Sequence, residues 1–127
     1  MIRIVTESMS DFTQEEAKAA DLIVMPLPIR FGMEEYWDDG VSLTQDDFYA
    51  RLRVAKELPK TSQVPVEHYR KCFNRLLENP EDEVLVITGS SKLSGCYQSA
   101  CIAREACHDP ARVTVLDSLN ATCAQCM

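Results

Sequence analysis

Short apolar runs alternate with helical stripes along the chain. Residues 2–5 alternate apolar side chains with Arg3 and predict a first short strand. A polar turn follows over residues 6–11. Thr13 precedes Glu16 by three positions, the spacing of a capping box, and predicts a helix to about Ala20. Residues 22–25 and 29–31 are apolar, but Pro26 and Pro28 interrupt them. Proline has no N–H to give to a ladder, so this stretch predicts an edge strand or a kinked pair. Residues 32–40 carry a turn and a further short strand around Tyr36 and Trp37, which predicts a small hairpin.

Thr44 is a candidate N-cap, with Phe48, Leu52 and Ala55 at helical spacing behind it. Leu58-Pro59 closes that helix, and residues 60–63 form a polar loop. Pro65 suits the first turn of the next helix, whose apolar stripe is Tyr69, Cys72, Phe73, Leu76 and Leu77. Asn79-Pro80 stops it. Residues 83–88 read as a strand, followed by a serine-rich loop and a helix from near Ser94 to about Cys107. Asp109-Pro110 breaks that helix, and residues 113–116 form the last strand. The order β-α-β…α-α-β-α-β predicts an α/β fold, a mostly parallel sheet flanked by helices in a three-layer-like arrangement. Ligands of such sheets bind at the carboxyl ends of the strands.

At 127 residues the chain fits a single domain spanning 1–127, and 46% hydrophobic against 26% charged residues is the balance of a folding sequence. A net charge of −7 repels phosphate-rich partners, which argues against duplex or membrane-surface binding. The amino-terminal MIRIVTES has no apolar leader core, and no apolar stretch reaches the ~18 residues of a membrane span. The six cysteines (72, 96, 101, 107, 123 and 126) are then expected as reduced thiols in a cytoplasmic protein.

The segment 83–103, EVLVITGSSKLSGCYQSACIA, carries the chemistry. A strand, a hydroxyl-rich turn and a helix N-terminus aim N–H and O–H donors at one place, which favours an anion. Serine and threonine in such positions are also ordinary caps, so spacing alone leaves Ser94 and Thr61 open between capping and binding. An alternative is a small serine hydrolase or phosphate-handling enzyme using the SSKLSG loop. The pattern G-x-S-x-G is absent, however, and His68 and His108 have no evident acidic partner. Lys92 lies inside the loop, not after its closing glycine, so the loop is not a P-loop. Cys123 and Cys126 have C-x-x-C spacing without a second pair, and Glu34, Glu35, Asp38 and Asp39 read as a solvated hairpin face. No metal site, cofactor or catalytic residue is expected.

Five ordered segments, IRIVTESMSDFT, VMPLPIRFGMEEYWDDG, LPKTSQ, SSKLSGCYQSA and VTVLDS, resemble the DegV family of bacterial fatty-acid-binding proteins. The resemblance covers essentially the whole chain. It implies an α/β fold that binds a long-chain fatty acid such as palmitate and presents it to a fatty-acid kinase subunit, without catalysis of its own. It also implies carboxylate contacts from Thr61 in the TSQ loop and Ser94 in the LSG turn, with Ser62 beside the first. Two hydroxyls from separate loops can hold a carboxylate in its charged form. The chain has Val64 where the family commonly has a small polar cap, which weakens the next helix by ~1 kcal/mol. It also stops soon after Asp117-Ser118. The expectation is therefore the family's amino-terminal domain only, with an apolar face left bare and a tendency to homo-oligomerise.

Overall fold

The computed structural model describes residues 1–126, with the side chains of Cys123 and Cys126 outside the described residues. The C-x-x-C reading therefore lies outside them. Among the described residues, seven strands form two sheets, and four α-helices accompany them, the last two packed on the larger sheet.

The larger sheet has four parallel strands in the order β2-β1-β6-β7: β1 (Ile2–Glu7), β2 (Leu22–Met25), β6 (Glu83–Thr88) and β7 (Val113–Asp117). A smaller antiparallel sheet holds β4 (Glu34–Trp37), β3 (Pro28–Phe31) and β5 (Lys60–Thr61). The proline-interrupted stretch resolves here. β2 ends before Pro26 as an edge of the parallel sheet, and β3 starts at Pro28 in the other sheet, where a first residue owes no N–H to a ladder.

The helices are α1 (Gln14–Ala19), α2 (Gln45–Val54), α3 (Val66–Leu76) and α4 (Cys96–Ala106). The α1 start is the expected capping box: the Glu16 amide donates to Thr13 Oγ1 at 3.1 Å, and the Glu16 side chain accepts from the Thr13 amide. α3 and α4 pack on each other and on the sheet. α3 contributes large side chains (Tyr69, Phe73, Leu76), and α4 contributes small ones (Cys96, Ala100, Ala103) that let the helices approach closely. Val5, Val84, Val86 and Val113 close this core from the sheet.

The crossovers through α1 and α4 leave the adjacent strands β1 and β6 in opposite directions. Right-handed crossovers therefore place α1 and α4 on opposite faces. The α1 face is thinly covered. Its neighbours Ile4 and Leu85 are half-buried, while Ile2 and Leu116 are 59% and 51% exposed.

Two sequence expectations change. α2 ends at Val54, ahead of Leu58-Pro59, and Ala55 is an exposed, extended C-cap rather than part of an apolar stripe. Residues 60–63 are not all loop, because Lys60 and Thr61 pair with Arg30 and Ile29. Among the described residues no helix is long and apolar enough to cross a membrane.

Candidate functional site

In a parallel sheet the crevice forms where neighbouring strands send their connections opposite ways. Here that point lies between β1 and β6, at the turn after Glu7 and the loop after Thr88. A third segment joins them, the stretch from Thr61 to Val64 that leads from the small sheet into α3.

The segments are tied together. The Val64 amide donates to the Cys96 Sγ at 3.5 Å, and Val64 is fully buried. Val64 thus ties the loop to α4 through its amide, and the N-cap of α3 is Pro65 rather than Val64, without a side-chain cap hydrogen bond. Gly95 permits the close approach: a Cβ there would lie 3.1 Å from the Gln63 Cδ. The Leu27 amide donates to Ser8 Oγ at 3.0 Å and fixes the turn after β1 against the β2–β3 link.

Between these segments lies a cavity of about 180 Å³. Thr61, Ser62 and Gln63 line one side, and Ser94 and Gly95 the other. Met9, Leu27 and Leu93 form an apolar wall. The three hydroxyl residues singled out by sequence therefore share one cavity. Thr61 and Ser62 are exposed, and neither hydroxyl makes a hydrogen bond among the described residues. Ser94 Oγ accepts from the Cys96 amide at 3.2 Å. That contact uses an oxygen lone pair and leaves the O–H as a donor. Ser94 thus forms a local turn just ahead of α4, whose N-cap is Gly95, and is not itself the helix cap.

The serine loop is held from below by the segment after β7. The Ser90 amide donates to the Asn120 carbonyl at 2.8 Å, and the Ser91 amide donates to the Asp117 carboxylate at 3.2 Å. The Leu93 and Ser94 amides both donate to the Ser90 carbonyl, at 2.9 and 3.1 Å. Hydrogen bonding from the Ser91 side chain above all, with the Leu119 and Ser91 amides, holds the Asp117 carboxyl below its ordinary pKa. Lys92 is exposed.

Other candidates fall elsewhere. His68 packs its ring on Trp37, with centroids 5.0 Å apart, and the His108 amide donates to Asn74. Neither lines the cavity, so Ser94 has no histidine base there. Glu34 pairs with Arg51 at 2.7 Å, Glu35 pairs with Arg30 at 2.9 Å, and Asp39 accepts from the Val41 and Ser42 amides. Among the described residues no group of three or more His, Cys, Asp or Glu side chains could hold a metal. Sequence reasoning missed Cys96, Gln63 and Asp117 as parts of the site. An acid closing a strand, as in VTVLDS, is a local signal for Asp117, and no comparable signal marked Cys96 or Gln63.

The DegV family's sequence model, described as an uncharacterised protein family, matches residues 1–127. A DegV domain-containing protein of Caldanaerobacter subterraneus subsp. tengcongensis is 39% identical over 121 residues, covering 95% of this chain and 42% of that protein. A Thermotoga maritima protein named fatty acid-binding protein is 35% identical over 95% of this chain and 42% of its own length. A solved stearic acid-binding protein from Eubacterium ventriosum superposes with a TM-score of 0.88 at 32% identity, over 98% of this chain and 44% of that one. The chain thus spans well under half the length of these relatives.

Proposed function

The chain belongs to the DegV family, and from that premise we propose that it holds the carboxylate of a long-chain fatty acid such as palmitate. Thr61 and Ser94 are the principal donors, and Ser62 assists. The observation that supports this reading is that three hydroxyl-bearing residues, from two loops, line one cavity beside the start of α4. The free O–H of Ser94 and the unbonded hydroxyls of Thr61 and Ser62 suit an acceptor-only headgroup. The names of the similar proteins, which bind fatty acids, support the ligand class.

A cavity of about 180 Å³ is smaller than the ~300–1,000 Å³ of sites that enclose a whole small molecule. It suits a headgroup and the first methylenes, with Met9, Leu27 and Leu93 as the start of a tail path. Each further methylene buried adds ~0.8 kcal/mol, so the tail carries most affinity and the hydroxyls set orientation. The chain acts as the headgroup-holding, amino-terminal domain of a carrier that performs no chemistry itself and presents the acid to a fatty-acid kinase subunit. Self-association through its barer apolar surfaces belongs to the same proposal.

The test is direct. Lipid extraction and mass spectrometry of the purified chain are expected to return long-chain acids. Ser94→Ala and Thr61→Ala are each expected to weaken palmitate binding ~10–100-fold, the worth of one hydrogen bond to a charged group. Unchanged affinity in both variants would sink the assignment.

A further inference from the structure

A carboxylate that the carrier reading leaves unused lies behind the cavity wall. Glu7 ends β1 at the switch point and is 0% exposed. Its oxygens accept from the Gly89 amide at 3.2 and 3.3 Å and from Gln125 Nε2 at 2.8 Å. Gln125 Nε2 also reaches Thr6 Oγ1 at 2.7 Å. Among the described residues no Lys, Arg or His side chain forms an ion pair with Glu7.

The groups that face Glu7 are few. α3 presents Tyr69 and α4 presents Cys96; both are fully buried and titratable. The β6–α4 loop presents Gly89, and the carboxyl-terminal turn presents Gln125. Among the described residues, Gln125 Oε1 is buried without a hydrogen-bond partner, and the buried Tyr69 Oη has the Cys96 thiol beside it. Gln125 Oε1 is an acceptor for which a protonated Glu7 carries an O–H and an ionised Glu7 does not, whereas the Tyr69 hydroxyl can serve either state.

Two routes connect this cluster to the cavity. Met9 packs so closely on Gly89 that a Cβ there would strike its Sδ, and that same Cβ would lie 3.4 Å from Glu7 Oε1, so Gly89 sits between the two. Met9 also lines the cavity. On the other side, Cys96 receives the Val64 amide and gives its own amide to Ser94, so it links Tyr69 and Glu7 to the loops of the site.

We infer that Glu7 is a specificity-determining residue: it couples headgroup binding to proton uptake and disfavours dianions, such as alkyl phosphates, relative to carboxylates. This rests on the carboxylate reading of the cavity. A second negative charge beside the buried Glu7 carboxylate repels it, and among the described residues no ion pair to Glu7 offsets this, so the cheaper state places a proton on Glu7. Burial already raises the Glu7 carboxyl above the usual range, against the opposing hydrogen bonds from Gln125 and Gly89. A bound anion raises it further. Between the free and bound values, affinity falls as pH rises, by up to about tenfold per pH unit, and it is flat on either side.

The experiment is calorimetric titration of the full chain with palmitate, in buffers of different ionisation heat, for wild type and Glu7→Gln. The expected result is uptake of up to one proton per palmitate in wild type and its loss in Glu7→Gln, where palmitate's own protonation is the only remaining contribution. Hexadecyl phosphate is expected to bind less tightly than palmitate in wild type, with the gap narrowing in Glu7→Gln. Palmitate binding with proton uptake unchanged in Glu7→Gln overturns this inference and leaves the carrier reading standing. No palmitate binding at any pH overturns the carrier reading and this inference together. Should Glu7→Gln fail to fold, carbon-13 NMR of glutamate-labelled wild type decides. Protonation of Glu7 on palmitate addition supports the inference, and an unmoved resonance overturns it.

Discussion

At the residue scale, Ser94 shows how one hydroxyl can brace a local turn and still keep a donor for the proposed ligand. Its oxygen accepts from the Cys96 amide, and its proton remains for a ligand. Of the two readings that spacing alone left open, capping is replaced by this turn contact, because Gly95 is the N-cap of α4, and the turn contact leaves a donor for a ligand. Asp117 is a different kind of residue, holding the loop that carries Ser94 through the Ser91 amide. Its folded pKa is depressed, chiefly by hydrogen bonding with Ser91. The support it gives is therefore present above the ordinary aspartate pKa, roughly 4, and is lost as pH falls through the lower folded value. Asp117→Asn is expected to raise the Ser91 amide exchange rate at neutral pH and weaken palmitate binding severalfold. Melting of the whole chain should change little, because Asp117 sits at the rim. An unchanged Ser91 exchange rate would remove Asp117 from this role. Thr61 and Ser94 came from the family resemblance, because loop hydroxyls at such spacing are as often caps, and the structure puts both in the lining of one cavity. Glu7 could not be read from sequence, since a carboxylate at a strand end looks like surface until a glycine and a glutamine 82 and 118 positions away close over it.

Among the elements, α3 and α2 mark the limits of periodicity. The α3 stripe was legible because its large side chains recur on one face and the structure buries them: Tyr69 and Phe73 are 0% exposed. α2 has the expected Thr44 cap, and the Asp47 amide donates to it at 3.2 Å, yet no α2 residue is buried. Phe48 meets Phe31 edge-on at 5.8 Å, and Arg51 pairs with Glu34. Those contacts with the hairpin are slight, because exposed ion pairs contribute ~0–1 kcal/mol. Hydrogen exchange is therefore expected to show α2 opening far faster than α3 and α4, as a separate low-stability unit. Equal protection of α2 and α3 would mean that a surface not evident here covers α2. β5 escaped the sequence for a related reason. Two residues carry no alternation, and Lys60-Thr61 becomes a strand only because β3 offers an edge. That pairing is what brings Thr61 to the cavity, so the least legible element positions a side chain that the family resemblance singled out.

At the scale of the molecule, apolar exposure and net charge oppose each other. Val41, Val54 and Leu58 are each about 80% exposed, and Leu93 and Leu119 are 69% and 65% exposed. The sheet face beneath α1 adds Ile2 and Leu116. Exposed apolar residues gathered in patches favour association, whereas a charge of −7 on each copy resists it. Salt screens the repulsion within ~10 Å at 0.1 M and leaves the apolar attraction intact. Sedimentation velocity is therefore expected to show reversible self-association that strengthens from low to moderate salt. Ile2→Lys with Leu116→Lys should weaken it, even though each lysine lowers the net negative charge, because both remove apolar contact from one face. A chain that stays monomeric at high concentration and moderate salt would show its exposed residues to be too scattered to form a patch. Association unaffected by the double variant would move the contact away from the sheet face, toward the rim formed by Leu93 and Leu119. In that case palmitate, by competing for Leu93 at the cavity wall, should disperse the oligomer.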